Sequence, residues 1–359
     1  MVHHKKLRDF YQGKKVLLTG HTGFKGTWLC KILLELGAQV VGYALEPQTE
    51  SSLFSLLSFQ QQMNSVVGDV RDLEYLKKIF EETQPEIVIH MAAQPLVRES
   101  YKNPVETYET NVMGTVHVLE CARRSSSVKS IVNVTTDKVY RNNEWDKGYV
   151  ETDYLDGYDP YSNSKSCSEL VTHSYVQSFL QESGIAVSTC RAGNVIGGGD
   201  FAKDRIIPDC VRAAIAEEDI IVRNPHSTRP FQHVLEPLFV YLMIAMEQYK
   251  NSSVMGCYNV GPDDESCITT GELVTMFCDI WNQNMPKDVR PINWVNQYDG
   301  GPHEANFLKL DCTKLKNTFD WKPKWSIAQA VNCVVEWEKV RVSGENMEVC
   351  MQQQIEKYL

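Results

Sequence analysis

Tyr161 and Lys165 stand four residues apart in the run Asp159-Pro-Tyr-Ser-Asn-Ser-Lys165. The apolar residues that follow at helical spacing (Leu170, Val171, Tyr175, Val176, Phe179, Leu180) predict a helix opened by Asp159-Pro160, which sets both side chains on one face. A phenol beside an ammonium is a proton-transfer pair. Tyrosine's ordinary pKa of about 10 keeps it protonated at neutral pH, and a neighbouring cation favours the phenolate. Upstream, a predicted strand over 130–135 runs into Thr135-Thr136-Asp137-Lys138, a second cluster of groups that hold protons.

The elements that must position these groups alternate regularly. Lys15-Val-Leu-Leu-Thr19 reads as a strand, Gly20-His21-Thr22-Gly23-Phe24-Lys25-Gly26 as a glycine turn, and Thr27 to Leu36 as a helix. That order lets backbone approach a pyrophosphate, whose charge then lies at a helix N-terminus. The spacing is G-x-x-G-x-x-G, a looser variant of the dinucleotide fingerprint, and the structural alternative is a glycine turn with no ligand. Gln39 to Ala44 is the second strand. Where an acid for the adenine ribose is expected, the chain has Tyr43-Ala-Leu and only then Glu46, so this position does not choose between NAD and NADP. Further strands are predicted over Ser65 to Val70, Glu86 to Met91, Ala186 to Arg191 and Gly256 to Val260. Helices are predicted over Leu73 to Thr83, Val105 to Arg123 (carrying Asn111) and Val234 to Tyr249, with a last one near Val331 to Val342. The alternation predicts an α/β fold with a Rossmann-type, doubly wound parallel sheet and a smaller mixed lobe. Small residues after the fourth strand, Ala92 and Ala93 before Gln94, suit a ligand at the sheet's carboxyl edge.

Composition sets limits. At 359 residues, 43% apolar and 23% charged, the chain has room for one large unit and a second lobe. A formal charge of −10 argues against nucleic-acid and anionic-membrane binding. Within that acidic balance, Lys203 to His233 is locally basic, with Lys203, Arg205, Arg212, Arg223 and Arg229, and a diphosphate would need such cations. The eleven cysteines are scattered without a C-x-x-C pair, which predicts thiols in a reducing, cytoplasmic compartment and no metal site. Met1 to Lys15 has no apolar core, so no secretory leader is expected, and the longest apolar run, Leu238 to Met246, is too short for a membrane span.

With Gly20-x-x-Gly23-x-x-Gly26, Gly68-Asp69-Val70, His90-Met-Ala-Ala-Gln94, Asn111, Thr135-Thr-Asp-Lys138 and Tyr161-x-x-x-Lys165 in one order, the chain resembles the extended short-chain dehydrogenase/reductase family over nearly its whole length. The strings 20–28, 92–98, 191–200 and 229–237 are similar to those of its nucleotide-sugar 4,6-dehydratases, in the branch that takes CDP-glucose. That resemblance implies tightly bound NAD, CDP-D-glucose as substrate, and CDP-4-dehydro-6-deoxy-D-glucose and water as products, for deoxysugar and surface-polysaccharide synthesis. It also implies a homodimer paired through the helices around 105–123 and 161–182, or a homotetramer. Residues 1–190, with 234–260 returning, would form the NAD-binding unit, and 191–233 with 261–359 the nucleotide-sugar lobe.

The resemblance also implies roles. Gly20, His21, Thr22, Gly23, Phe24, Lys25, Gly26, Asp69, Val70, Ala92, Ala93, Gln94, Asn111, Thr135, Tyr161 and Lys165 would meet the cofactor. Arg98, Asn194, Arg205, Arg223, Arg229 and His303 would meet the nucleotide sugar. Tyr161 would be the base for the sugar 4-hydroxyl, Lys165 would lower its pKa and hold the nicotinamide ribose, and Thr136 would hydrogen-bond the 4-oxygen. A neutral, buried Asp137 would protonate the departing 6-hydroxyl. Lys138 stands where TDP-glucose dehydratases have a glutamate. It is either the C5 base or a cation that stabilises the C4 enolate. A nucleotide-sugar 4-epimerase and a non-catalytic dinucleotide sensor are the competing readings. The first has no use for Asp137-Lys138, and the second has none for Thr136, Tyr161 and Lys165 together.

Overall fold

Val16 and Leu18 point to one face of the first strand and Leu17 to the other, and both faces are fully buried, so the strand must be covered by helices on both sides. In a computed structural model, which describes residues 2–47, 52–284, 290–298 and 307–359, this is β1 (Lys15–Thr19). It is followed by α1 (Phe24–Glu35), β2 (Gln39–Ala44), β3 (Asn64–Val67), α2 (Leu73–Thr83), β4 (Ile87–His90), α3 (Gly114–Arg124), β5 (Ser130–Val134), α4 (Pro160–Tyr175), β6 (Ala186–Ala192), α5 (Leu235–Lys250) and β7 (Cys257–Val260). The seven strands form one parallel sheet in the order β7-β6-β5-β4-β1-β2-β3. The order reverses between β1 and β4, which opens a crevice at their carboxyl ends.

The alternation within each strand sorts the core into two layers. Val16, Leu18, Ile87, Ile89, Val132 and Val134 pack with Trp28, Leu29 and Leu33 of α1 and Leu238 and Leu242 of α5. Leu17, Val88 and Ile131 pack on the opposite face with Leu76 and Phe80 of α2 and Val118 and Leu119 of α3. Each such leucine contributes about 2 kcal/mol by burial.

The helix predicted over 105–123 differs in one respect. It is built from Pro104–Tyr108 and α3, joined by a π turn at Glu109–Met113. The extra residue per turn falls on Asn111, which is fully buried. The third strand ends at Val67, before Gly68-Asp69-Val70, because Asp69 turns back to cap Arg71.

The second lobe has its own core. Ile207, Leu273, Phe277, Val331 and Val334 join the helices Ile206–Ile215, Thr270–Asn284 and Ile327–Ser343. Three short strand pairs accompany them: 195–196 with 232–233, 220–222 with 294–296, and 228–230 with 267–269. The last helix, Met347–Tyr358, lies instead against the first core through Met351, Ile355 and Tyr358. Among the described residues no helix is long and apolar enough to cross a membrane.

Candidate active site

The glycine turn is bent by its own sterics. Gly20 has φ +78°, and a Cβ there would come within 2.8 Å of the Ala92 nitrogen. A Cβ on Gly26 would meet the Gly20 carbonyl oxygen at 2.1 Å. The Thr19 hydroxyl accepts from the amides of Met91 and Ala92 at 3.1 and 3.2 Å and so draws the loop after β4 against the turn. Gly23 caps α1 with no side-chain hydrogen bond, and the first turn of α1 holds no acid. The first-turn N–H groups of this helix, left without a side-chain cap, fit a pyrophosphate.

The side chains of this turn face the protein. His21 Nε2 lies 2.7 Å from Ser65 Oγ, and burial lowers its pKa to about 4, so the ring is neutral. Thr22 donates to the Leu45 carbonyl at 2.9 Å, Phe24 packs on the first core, and Lys25 Nζ donates to the Tyr241 hydroxyl at 3.1 Å. Backbone is therefore what this string offers a cofactor. Burial, then the charges of Arg205 and Lys165, lower Lys25 to about 7. At the end of β2, a Cβ on Gly42 would strike the His21 ring, and Tyr43 donates to the Asp69 carbonyl at 2.8 Å. Burial opposes ionisation of Asp69, but Arg71, donating at 2.6 and 2.9 Å, draws its carboxyl below the usual value. Val70 is buried beside it.

Asn111 fastens the carboxyl-edge loop to the helix that carries Tyr161. Its Oδ1 accepts from the Gln94 amide at 2.8 Å, and its Nδ2 donates to the Gln94 carbonyl at 3.1 Å and to Ser164 Oγ at 2.9 Å. Gln94 in turn donates from Nε2 to Thr107 at 2.9 Å.

On α4, Asp159 accepts from the Ser162 amide and Pro160 fills the first turn, the start predicted from sequence. Lys165 is buried and donates to the Val134 carbonyl, the last residue of β5, at 3.1 Å. Burial lowers its pKa to about 8, with Glu169 opposing. Burial also pushes the Tyr161 phenol up to about 12, against a hydrogen bond with Thr136 and, more weakly, the charge of Arg205. This direction is opposite to the phenolate expected from sequence. Desolvation of the phenol outweighs its neighbours, and the lysine that should favour ionisation is weakened by the same burial.

Past β5 the chain enters a single 3-10 turn, Asp137–Val139, capped by the Thr136 hydroxyl, which the Lys138 amide reaches at 3.4 Å. Thr136 donates to Asp137 Oδ1 at 3.0 Å. Asp137 is 1% exposed, and its Oδ2 has no hydrogen-bond partner. Burial raises its pKa, against the charges of Lys138 and Arg229. A Cβ on Gly193 would stand 3.1 Å from that Oδ2, so the glycine leaves the carboxyl its space. Lys138 is half-buried. The Thr135 hydroxyl is buried and donates to Glu169 at 2.5 Å.

The sequence-predicted sugar and diphosphate residues divide. Arg205, whose charge acts on Tyr161, and Arg229, which is buried and acts on Asp137, are drawn to the cluster of Thr136, Asp137 and Tyr161. Arg205 pairs with Asp200 at 3.2 Å. Arg223 lies 2.7 Å from Asp204, and the charge of Arg98 also acts on Asp204. Asn194 accepts the Gln232 amide through its carbonyl at 3.1 Å. His303 lies outside the described residues. Reading from sequence overlooked the acids at 200 and 204, spaced irregularly from the arginines they meet, and Glu169, whose signal was its position one helical turn past Lys165.

Residues 17–334 match the family described as GDP-mannose 4,6 dehydratase. The chain is 45% identical over 358 residues, covering 98% of each protein, to the CDP-glucose 4,6-dehydratase of Salmonella typhimurium. It is 26% identical to the dTDP-D-glucose 4,6-dehydratase of Homo sapiens, over 90% of this chain and 89% of that one. Among solved structures, the dTDP-glucose 4,6-dehydratase of Bacillus anthracis in complex with NAD aligns with a TM-score of 0.76 at 22% identity, covering 93% of this chain and 99% of that one. The UDP-glucose 4-epimerase of Thermotoga maritima with UDP-glucose aligns with a TM-score of 0.77 at 19% identity, over 91% and 99%. At these identities the two structures speak for the fold alone.

Proposed function

The chain belongs to the GDP-mannose 4,6 dehydratase family of extended short-chain dehydrogenases/reductases, and from that membership we propose that it is an NAD-dependent hydro-lyase that converts CDP-D-glucose to CDP-4-dehydro-6-deoxy-D-glucose and water. The observation that carries the dehydration step is Asp137, a fully buried carboxyl held toward its neutral form, with one oxygen left for a ligand, in contact with the threonine that also meets Tyr161. A 4-epimerase needs no such acid.

NAD, held at the glycine turn and beside Lys165, would supply the hydride acceptor for sugar C4 and the hydride donor for C6. The chain's own residues do the rest. Tyr161 accepts the proton of the 4-hydroxyl from its ionised form, the minor form near neutrality because burial raises its pKa, while Thr136 orients it. Asp137 protonates the departing 6-hydroxyl as the C5 proton is lost. Lys138, beside Asp137, either takes the C5 proton or stabilises the enolate. Lys138→Ala is expected to slow C5 deuterium exchange by about 100-fold, followed by NMR of recovered CDP-sugar. Exchange at the wild-type rate would remove Lys138 from both roles. The glycine turn, Asp69-Val70, Ala92, Ala93 and Gln94 form the cofactor side of the crevice, with Asn111 and Thr135 as its supports. Arg98, Asn194, Arg205, Arg223 and Arg229 form the nucleotide-sugar side, together with the lobe built on the helices Ile206–Ile215 and Thr270–Asn284.

We further propose a cytoplasmic homodimer. Val105 (70% exposed), Leu170 (57%), Met113 (45%) and Phe179 (43%) are large apolar side chains left uncovered along the two helical segments that carry Asn111 and Tyr161. Leu170→Glu is expected to weaken self-association by about 100-fold or more in analytical ultracentrifugation, because a carboxylate would be buried without a partner. An unchanged dimer would place the interface elsewhere.

A further inference from the structure

Beneath the catalytic helix lies a buried ion pair that the roles above leave unused. Glu169 stands one turn after Lys165 on α4 and is 3% exposed. Its Oε1 accepts the Thr135 hydroxyl at 2.5 Å, and its Oε2 accepts the Thr189 hydroxyl at 2.7 Å and Arg191 Nη2 at 2.9 Å. These donors come from the end of β5 and from the neighbouring β6, so the carboxylate is pinned to the edge of the sheet. Arg191 is 2% exposed and is itself held, donating from Nη1 to the Tyr140 hydroxyl at 2.8 Å and the Glu151 carbonyl at 2.9 Å. Tyr140 passes the chain on to Asn259 Oδ1 at 2.6 Å. Lys165 and Glu169, on one helix face, therefore reach consecutive residues where one strand ends: Lys165 donates to Val134, and Glu169 accepts from Thr135.

A buried pair of this kind adds little stability over apolar replacements. Its effect falls on its neighbours. Of the groups that act on Lys165, Glu169 supplies the charge that favours the ammonium against burial. The other groups give no such help. Lys25, facing from α1, is a second amine, and its own pKa is lowered by burial, Arg205 and Lys165. His90, from β4, is held neutral by burial and, to a smaller extent, by Lys165. Cys190, from β6, is held as a thiol by burial and, more weakly, by Glu169. The Tyr161 phenol keeps its proton.

We propose that Glu169, clamped by Arg191, Thr135 and Thr189, is a positioning residue that keeps Lys165 charged and seated at the end of β5. This rests on the assignment of Tyr161 and Lys165 to the oxidation step. Lys165→Met with wild-type turnover would remove that assignment, whereas the following titration tests Glu169 alone. NMR of the full chain with 13C-labelled lysine, with Lys165 identified from the Lys165→Met spectrum, gives its titration midpoint. In Glu169→Gln, and in a Glu169→Leu/Arg191→Met double variant that leaves no unpaired buried charge, the midpoint should fall by about one unit. The pH at which the rise of kcat/KM levels off should move down with it, and NAD should still bind. An unmoved midpoint beside a lowered melting temperature would make the pair merely structural and overturn the proposal. A wild-type Lys165 that titrates like an ordinary exposed lysine would overturn it whether or not either variant folds.

Discussion

Replacing Tyr161 by Phe is expected to lower kcat by about 1,000-fold while NAD binding changes little. The phenol hydroxyl is the part that meets Thr136, and loss of a positioned general base costs about that much. The ring stays to fill its place, so the fold is kept. The pH dependence has a definite sign. Burial holds the phenol at about 12, so on the acidic limb wild-type turnover should rise with pH as the phenol gives up its proton more readily. The rise should level off near pH 8, where Lys165 begins to lose its charge and offsets the gain. Tyr161→Phe should lose the acidic limb. Turnover in that variant within a few-fold of wild type would exclude Tyr161 as the base.

Asp137→Asn should separate the two halves of the reaction. Tyr161, Thr136 and Lys165 remain, so sugar C4 is still oxidised, but the 6-hydroxyl has lost its acid. Product formation is expected to fall by about 100- to 1,000-fold, and reduced nicotinamide should accumulate, seen by its absorbance after CDP-glucose is mixed with the NAD-loaded protein. The same variant should be more stable near neutrality. Burial raises the Asp137 pKa, so its contribution to stability is full below the ordinary carboxylate value and is lost as pH climbs through the raised one. Asparagine carries no such cost, and a gain of about 1 kcal/mol would raise the melting temperature by about 1–2 °C. A variant that forms product at the wild-type rate would refute the acid role. A lower melting temperature across the neutral range would refute the burial argument.

The fold was legible because its signals are local. Apolar runs of strand length, a glycine turn and helical spacing needed only neighbours in sequence, and the strand over 15–19, the helix over 73–83 and the start of α4 at Pro160 came out as read. The π turn at Asn111 did not, since apolar spacing over 105–123 suits an unbroken helix and the displacement comes from contacts with Gln94 and Ser164, distant in sequence. The candidate cluster was legible as residue types at the ends of two elements. Its electrostatics were not. Whether a lysine four residues away favours a phenolate depends on how deeply both are buried, and here desolvation outweighs proximity for Tyr161. The side chains of His21, Thr22 and Lys25 likewise sat inside a cofactor motif, yet their partners, Ser65, Leu45 and Tyr241, are set by tertiary packing.

Incubating the purified, NAD-loaded protein with CDP-, UDP- and TDP-glucose in parallel, and following the alkaline absorbance of a 4-keto-6-deoxy sugar, tests the central claim most directly. The account expects product from CDP-glucose with no net consumption of NAD. No product from CDP-glucose, with turnover of UDP- or TDP-glucose instead, would contradict it.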